Sequence, residues 1–149
     1  MKPFTHLGLI LLFVLINTCF AESKEQGVEP KRQGVGSKWE VVIYNYQTNS
    51  SLWIHCKSKD DDLNEHKLEM KGKYSWNFKE NFWQTTLFWC NFSSWNGHAS
   101  FEVFWPEKRE WLSARCAYYS CRWVATNDGF FLVNIPDRKL ELLHHWKPL

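Results

Sequence analysis

The side chains of this 149-residue chain best suited to covalent chemistry are its five cysteines, Cys19, Cys56, Cys90, Cys116 and Cys121. A thiol can serve as nucleophile, metal ligand or half of a disulfide, and compartment and number decide which. The N-terminus reads as an export signal. Lys2 supplies the positive charge, and the apolar run from Leu7 to Ile16 is too short to cross a bilayer as a helix. Cys19-Phe20-Ala21 then offers small residues at the −3 and −1 positions of a signal peptidase, which places cleavage after Ala21. Cleavage removes Cys19 and leaves an even set, Cys56, Cys90, Cys116 and Cys121, expected to form two disulfides in an oxidising compartment. The Cys116-x4-Cys121 spacing has no second close Cys or His pair, so no zinc site is complete. Four oxidised cysteines also leave no thiolate for a Cys–His nucleophile.

Histidines and acids are the other candidates for chemistry. His55, His66, His98, His144 and His145 lie in no motif resembling a ribonuclease site, and His55, beside Cys56 on a predicted strand, reads as packed or hydrogen-bonded rather than catalytic. Asp60-Asp61-Asp62 with Glu65 lacks the alternating acids, central glycine and terminal glutamate of an EF-hand loop. It reads as a solvated turn whose side chains bond nearby backbone N–H groups. No Gly-rich phosphate loop and no Gly-x-Ser-x-Gly elbow occurs. No cofactor and no catalytic constellation is therefore expected. Two sequons, Asn49-Ser50-Ser51 and Asn91-Phe92-Ser93, meet the acceptor rule for N-glycosylation, the first in a predicted turn and the second on a strand where alternation directs Asn91 outward.

The elements that position these residues follow from periodicity. Residues 22–38 are polar, with almost nothing to bury, and read as a flexible linker in which Lys31-Arg32 is a solvated pair rather than a processing site. From Trp39 apolar residues recur with period two, predicting strands over 39–46, 52–56, 67–69, 74–78, 85–92, 100–105, 121–126 and 130–135. Turn chemistry at Lys71-Gly72-Lys73, Asn96-Gly97, Trp105-Pro106 and Asn127-Asp128-Gly129 separates them, and no convincing helical stripe precedes the C-terminus. Short strands at this spacing predict an all-β domain over 39–149, a β-sandwich or a barrel. All ten tryptophans fall in this domain, enough aromatic surface for a core that two disulfides then reinforce. It carries as many acidic as basic residues, so it lacks the positive field of a nucleic-acid binder. Alternation turns Cys56, Cys90 and Cys121 inward with large apolar neighbours. Of the three connectivities, this favours the long-range one, Cys56–Cys121 with Cys90–Cys116, whose large loops give about 3–4 kcal/mol each.

The segment from His55 to Leu68, His-Cys-Lys-Ser-Lys-Asp-Asp-Asp-Leu-Asn-Glu-His-Lys-Leu, resembles the hallmark of the plant self-incompatibility protein (S-protein homologue) family. Supporting blocks follow in order: Gly72-x-Tyr74-x-Trp76-x-Phe78, Thr85-Thr-Leu-Phe-Trp-Cys90-x-Phe92, and Cys116-x4-Cys121-x-Trp123 followed by Gly129. Where the family usually has glycine after the Asp-Asp-Asp-Leu run, this chain has Asn64, the residue next most tolerant of positive φ. The resemblance implies secretion and an antiparallel β-sandwich of two sheets, and in some members a role as the pistil determinant that rejects self pollen.

Read together, these features predict a secreted, monomeric, non-enzymatic ligand for a plant cell-surface receptor, with no membrane span after signal cleavage. Loops on a rigid sandwich carry specificity, and the loops Lys57–Lys67 and Pro106–Trp111 are the candidates, through Lys57, Lys59, Asp60, Asp61, Asp62, Lys108, Arg109 and Trp111. The alternative from another class is a defence protein acting on microbial membranes or glycans through exposed tryptophans. An extracellular hydrolase is more distant.

Overall fold

The computed structural model describes residues 37–106 and 110–149. The expected signal sequence, nearly all of the expected linker, and Lys108 and Arg109 lie outside these. Nine strands form: β1 (Lys38–Asn45), β2 (Leu52–Lys57), β3 (Asp62–Leu68), β4 (Lys73–Lys79), β5 (Phe88–Ser94), β6 (Gly97–Phe104), β7 (Ser120–Thr126), β8 (Gly129–Asn134) and β9 (Lys139–His144). They make two sheets, ordered β4-β1-β7-β8-β9 and β3-β2-β5-β6. The expected β-sandwich is thus present, with one departure: β1 and β7 run parallel, Val41 opposite Cys121 and Ile43 opposite Trp123. The remaining pairings are antiparallel.

The inward residues of each sheet meet in one aromatic core. Phe92 packs on Phe130 with centroids 4.7 Å apart, and Phe101 on Trp123 at 5.2 Å. Trp123 is fully buried, and its indole N–H donates to the Val103 carbonyl of the facing sheet at 2.9 Å. The bond satisfies the one polar atom of a side chain that otherwise contributes only apolar area. β1 and β7 depart from simple alternation because both are interior strands. Val42, Tyr44 and Val124 form a second apolar cluster with Val133 and Ile135 on the other side of their sheet.

Several elements differ from the sequence reading. β3 begins at Asp62 rather than Lys67, since an edge strand tolerates the charged, outward residues that read as a turn. β9 was not expected: Leu142-Leu143 breaks the alternation because the ladder slips there, Phe131 opposing Leu142 but Phe130 opposing His144. A short helix, α1 (Trp111–Arg115), follows the Trp105-Pro106 stop. It seats Leu112 in the core and closes with the Cys116 N–H on the Leu112 carbonyl at 2.9 Å.

The disulfide preference is corrected. Cys56 bonds Cys90 and Cys116 bonds Cys121. The antiparallel register sets Cys56 directly opposite Cys90 on neighbouring strands, with Cα atoms 4.0 Å apart. Cys116 ends α1 just before β7 and meets Cys121 with a Cα separation of 4.5 Å. Inward orientation was the right inference. Loop length says only how much a bridge would stabilise, however, and contact between neighbouring elements decides which bridge forms.

Candidate functional site

Strand registers gather one set of loops at one end of the sandwich. The end of β2 lies beside the start of β5 (Lys57 opposite Trp89), and the start of β5 beside the end of β6 (Phe88 opposite Phe104). In the other sheet the end of β4 meets the start of β1 (Lys79 opposite Lys38). Phe78 touches both Phe88 and Phe104, at 4.6 and 4.8 Å between centroids, which aligns the two ends. The Ser58–Asp61 turn, the loop from Glu80 to Leu87, and Trp105 with Trp111 stacked on it therefore lie at this end, which holds the described parts of both predicted binding loops.

The first loop is internally tied. The Ser58 N–H donates to the Asp61 carbonyl at 2.8 Å, and the Ser58 hydroxyl accepts the N–H groups of Asp60 and Asp61 at 3.3 and 3.0 Å. Asp62, already on β3, holds Lys57 Nζ at 2.8 Å and His55 Nε2 at 2.6 Å, and accepts the Asn64 N–H at 2.9 Å. Lys57 first, then His55 and that amide, keep the Asp62 carboxyl well below the usual carboxylate range. Asn64 takes φ 62°, the positive value its place in the motif requires. Lys57 and Asp62 thus neutralise one another, whereas Lys59 and Asp60 stand exposed.

The middle loop escaped the sequence reading, which ran a strand through Thr85. Instead Asn81 organises it. The Asn81 side chain accepts the Thr85 N–H and donates to the Thr85 hydroxyl, both at 2.9 Å, and its own N–H donates to Thr86 Oγ1 at 2.9 Å. Gln84 turns the chain at φ 51° and donates its N–H to the Asn81 carbonyl at 3.0 Å. Such closure holds Phe82 and Trp83 in solvent at 72% and 78% exposure, edge to face with centroids 5.3 Å apart. The available signal was two consecutive aromatics inside the polar Lys79-Glu-Asn-Phe-Trp-Gln-Thr-Thr run, with Asn and Thr at turn spacing.

In the third segment Trp111 is 37% exposed, between Trp105, stacked at 5.9 Å, and the Arg115 guanidinium, 3.8 Å from its ring. Arg115 Nε pairs with Glu141 at 2.6 Å, which lowers the Glu141 carboxyl. Arg115 therefore braces the indole through a cation–π contact.

Three of the five described histidines have side-chain partners. His55 is engaged by Asp62, His66 stacks on Tyr74 at 3.9 Å, and His144 stacks on Phe101 at 3.9 Å with burial lowering its pKa. The four described cysteines are all oxidised. Asn49 sits in an exposed turn at φ 55°, and Asn91 is exposed on β5.

The sequence and the fold both have known counterparts. A family model described as plant self-incompatibility protein S1 matches residues 40–146. S-protein homolog 1 of Arabidopsis thaliana is 40% identical over 112 residues, covering 74% of this chain and 73% of that protein. S-protein homolog 74 of the same plant is 41% identical, with the same coverage of each. The chain belongs to the plant self-incompatibility protein S1 (S-protein homologue) family. A solved structure from a group described as widespread, small, highly stable, secreted plant proteins shares its fold. The TM-score is 0.52 at 20% identity, over 76% of this chain and 93% of that one. Secretion is the setting in which two disulfides persist, and no described helix is long and apolar enough to cross a membrane.

Proposed function

We propose that this protein is a non-enzymatic secreted ligand, read by a plant cell-surface receptor through the loop end, in pollen–pistil recognition or a related signalling exchange. The observation that carries this reading is the Phe82–Trp83 pair. Large apolar side chains at over 70% exposure are costly to leave in water, and here a hydrogen-bonded loop holds them there. The charged Ser58–Asp61 turn and the braced Trp111 lie at the same end of the sandwich, so apolar and charged side chains share it. Aromatic anchors of this kind dominate interface energetics, and charged neighbours set partner choice.

Binding of labelled protein to pollen or other plant cells tests the reading. Replacing both Phe82 and Trp83 by alanine should weaken cell binding at least about 30-fold, as loss of about 2 kcal/mol at a hot spot requires. Trp95→Ala, at the opposite end of the sandwich and 86% exposed, should leave binding unchanged. Equal binding by the double variant and the parent would overturn the assignment. Leakage of lipid vesicles, lost in the same double variant, would favour the membrane-directed defence reading instead.

A further inference from the structure

The outward face of the β3-β2-β5-β6 sheet is laid out in cross-strand rows. One row runs Asp62, Lys57, Trp89, Glu102, the next Glu65, His55, Asn91, Ser100, and the third Lys67, Trp53, Ser93, His98. Asn91 stands at the centre as the first residue of Asn91-Phe92-Ser93. Alternation buries Phe92 at 2% exposure and leaves Asn91 in solvent. The Ser100 hydroxyl donates to Asn91 Oδ1 at 2.7 Å, which orients the amide and leaves Nδ2 with no hydrogen-bond partner among the described residues. Two indoles bracket it. Trp89 lies two residues earlier on the same strand and face, about 7 Å away along the strand. Trp53, 42% exposed, lies across from Ser93 with Lys67 Nζ 5.8 Å from its ring.

We propose that Asn91 carries an N-linked glycan whose first sugar lies on the Trp89 indole, so that carbohydrate covers this flat face. The group transferred comes from a lipid-pyrophosphate-linked oligosaccharide met during export. Asn91 Nδ2 bonds to the anomeric carbon and gives up a proton, the bond from that carbon to the pyrophosphate oxygen breaks, and the lipid pyrophosphate leaves. The C–H face of a pyranose is apolar and matches an aromatic face, and the spacing between alternate residues of a strand is close to the width of one sugar ring. Such cover would hide Trp89 and Trp53 from water and exclude the sheet face from protein contact, leaving the loop ends free. The proposal stands independently of the receptor reading.

The test uses the full chain secreted from plant cells. Enzymatic deglycosylation in heavy-oxygen water converts each occupied asparagine to labelled aspartate, and peptide mapping should place a label at residue 91, counted separately from any at Asn49. Ser93→Ala should abolish the label at 91 while keeping Asn91, and Asn91→Gln should do the same. The map of the parent protein decides occupancy even if a variant is poorly secreted. Deglycosylation should also lower the melting temperature by about 3 °C, a size typical of a fraction of a kcal/mol in a domain this small, and Trp89→Ala should remove most of that difference. An unlabelled residue 91 in the secreted protein overturns the proposal. Occupancy with the same temperature shift in parent and Trp89→Ala overturns the stacking on Trp89.

Discussion

The two ends of the sandwich are held by different forces. At the loop end both disulfides lie close to the surface segments: Cys56 precedes Lys57 and the charged turn, Cys90 begins just after the Phe82–Trp83 loop, and Cys116 and Cys121 bracket the turn after α1. The opposite end has no covalent staple among the described residues and is tied by amides. Asn45 and Gln47 are fully buried there. Asn45 Nδ2 donates to the carbonyls of Ser50 and Leu68, both at 2.9 Å, while its Oδ1 accepts the Gln47 N–H at 3.1 Å. Gln47 Oε1 accepts from the Ser94 hydroxyl at 2.7 Å and Asn96 Nδ2 at 2.8 Å, and Asn127 joins the network through Thr48. A buried amide network with its bonds made rigidifies the turns it touches and presents little apolar surface. Covalent bridges fix strand ends while leaving the connecting segments free to display apolar side chains. One end is thus tied by buried amides, and the other displays apolar side chains.

Breaking the staples should have the largest effect. Replacing Cys56 and Cys90 by alanine removes a bridge spanning 34 residues and should cost about 4 kcal/mol in denaturant unfolding. Hydrogen exchange should rise at the ends of β2 and β5 before it rises around Gln47. Gln47→Leu strikes the other end and strands the groups that Ser94, Asn96 and Asn45 aim at it, with an expected loss of about 3 kcal/mol. Removing Cys116 and Cys121, only 5 residues apart, should cost about 2 kcal/mol, and a loss equal to that of the first bridge would sink this ranking.

Acid should separate the ends by pH. Burial lowers the His144 pKa from its ordinary 6.5, so the unfolded chain takes up a proton first. The stabilisation is complete above 6.5 and is lost as pH falls from there toward the folded value. Asp62 is depressed from 3.8 by Lys57 and His55, so its contribution holds above 3.8 and fades only as pH falls below that. Resonances of the His144 ring should therefore shift at a pH where those of Asp62 do not, and a single shared transition would contradict the assignment. Phe82→Ala with Trp83→Ala should have the smallest effect, within about 0.5 kcal/mol on unfolding. A larger loss would mean the pair belongs to the core rather than to a displayed surface.

Much of this architecture was legible beforehand where the signal is local. Alternation in Leu52-Trp-Ile-His-Cys56 and Phe88-Trp-Cys-Asn-Phe92 found β2 and β5 and their inward faces. Legibility failed where a neighbour alters the pattern. The slip opposite Phe130 hides β9, the edge position lets Asp62–Leu68 be a strand despite its charge, and Asn81 draws Thr85, the start of the expected strand 85–92, into the loop that carries Phe82 and Trp83.

From composition and order of residues alone followed an all-β domain, cysteines at 56, 90, 116 and 121 bound for bridges, and a family motif running from His55. Those are properties of single residues and their near neighbours along the chain. Which cysteine meets which, that β1 lies parallel beside β7, and that three distant segments share one end were decided only by packing. They depend on which strands lie side by side, and a two-residue repeat holds no information about the element on the far side of a ladder.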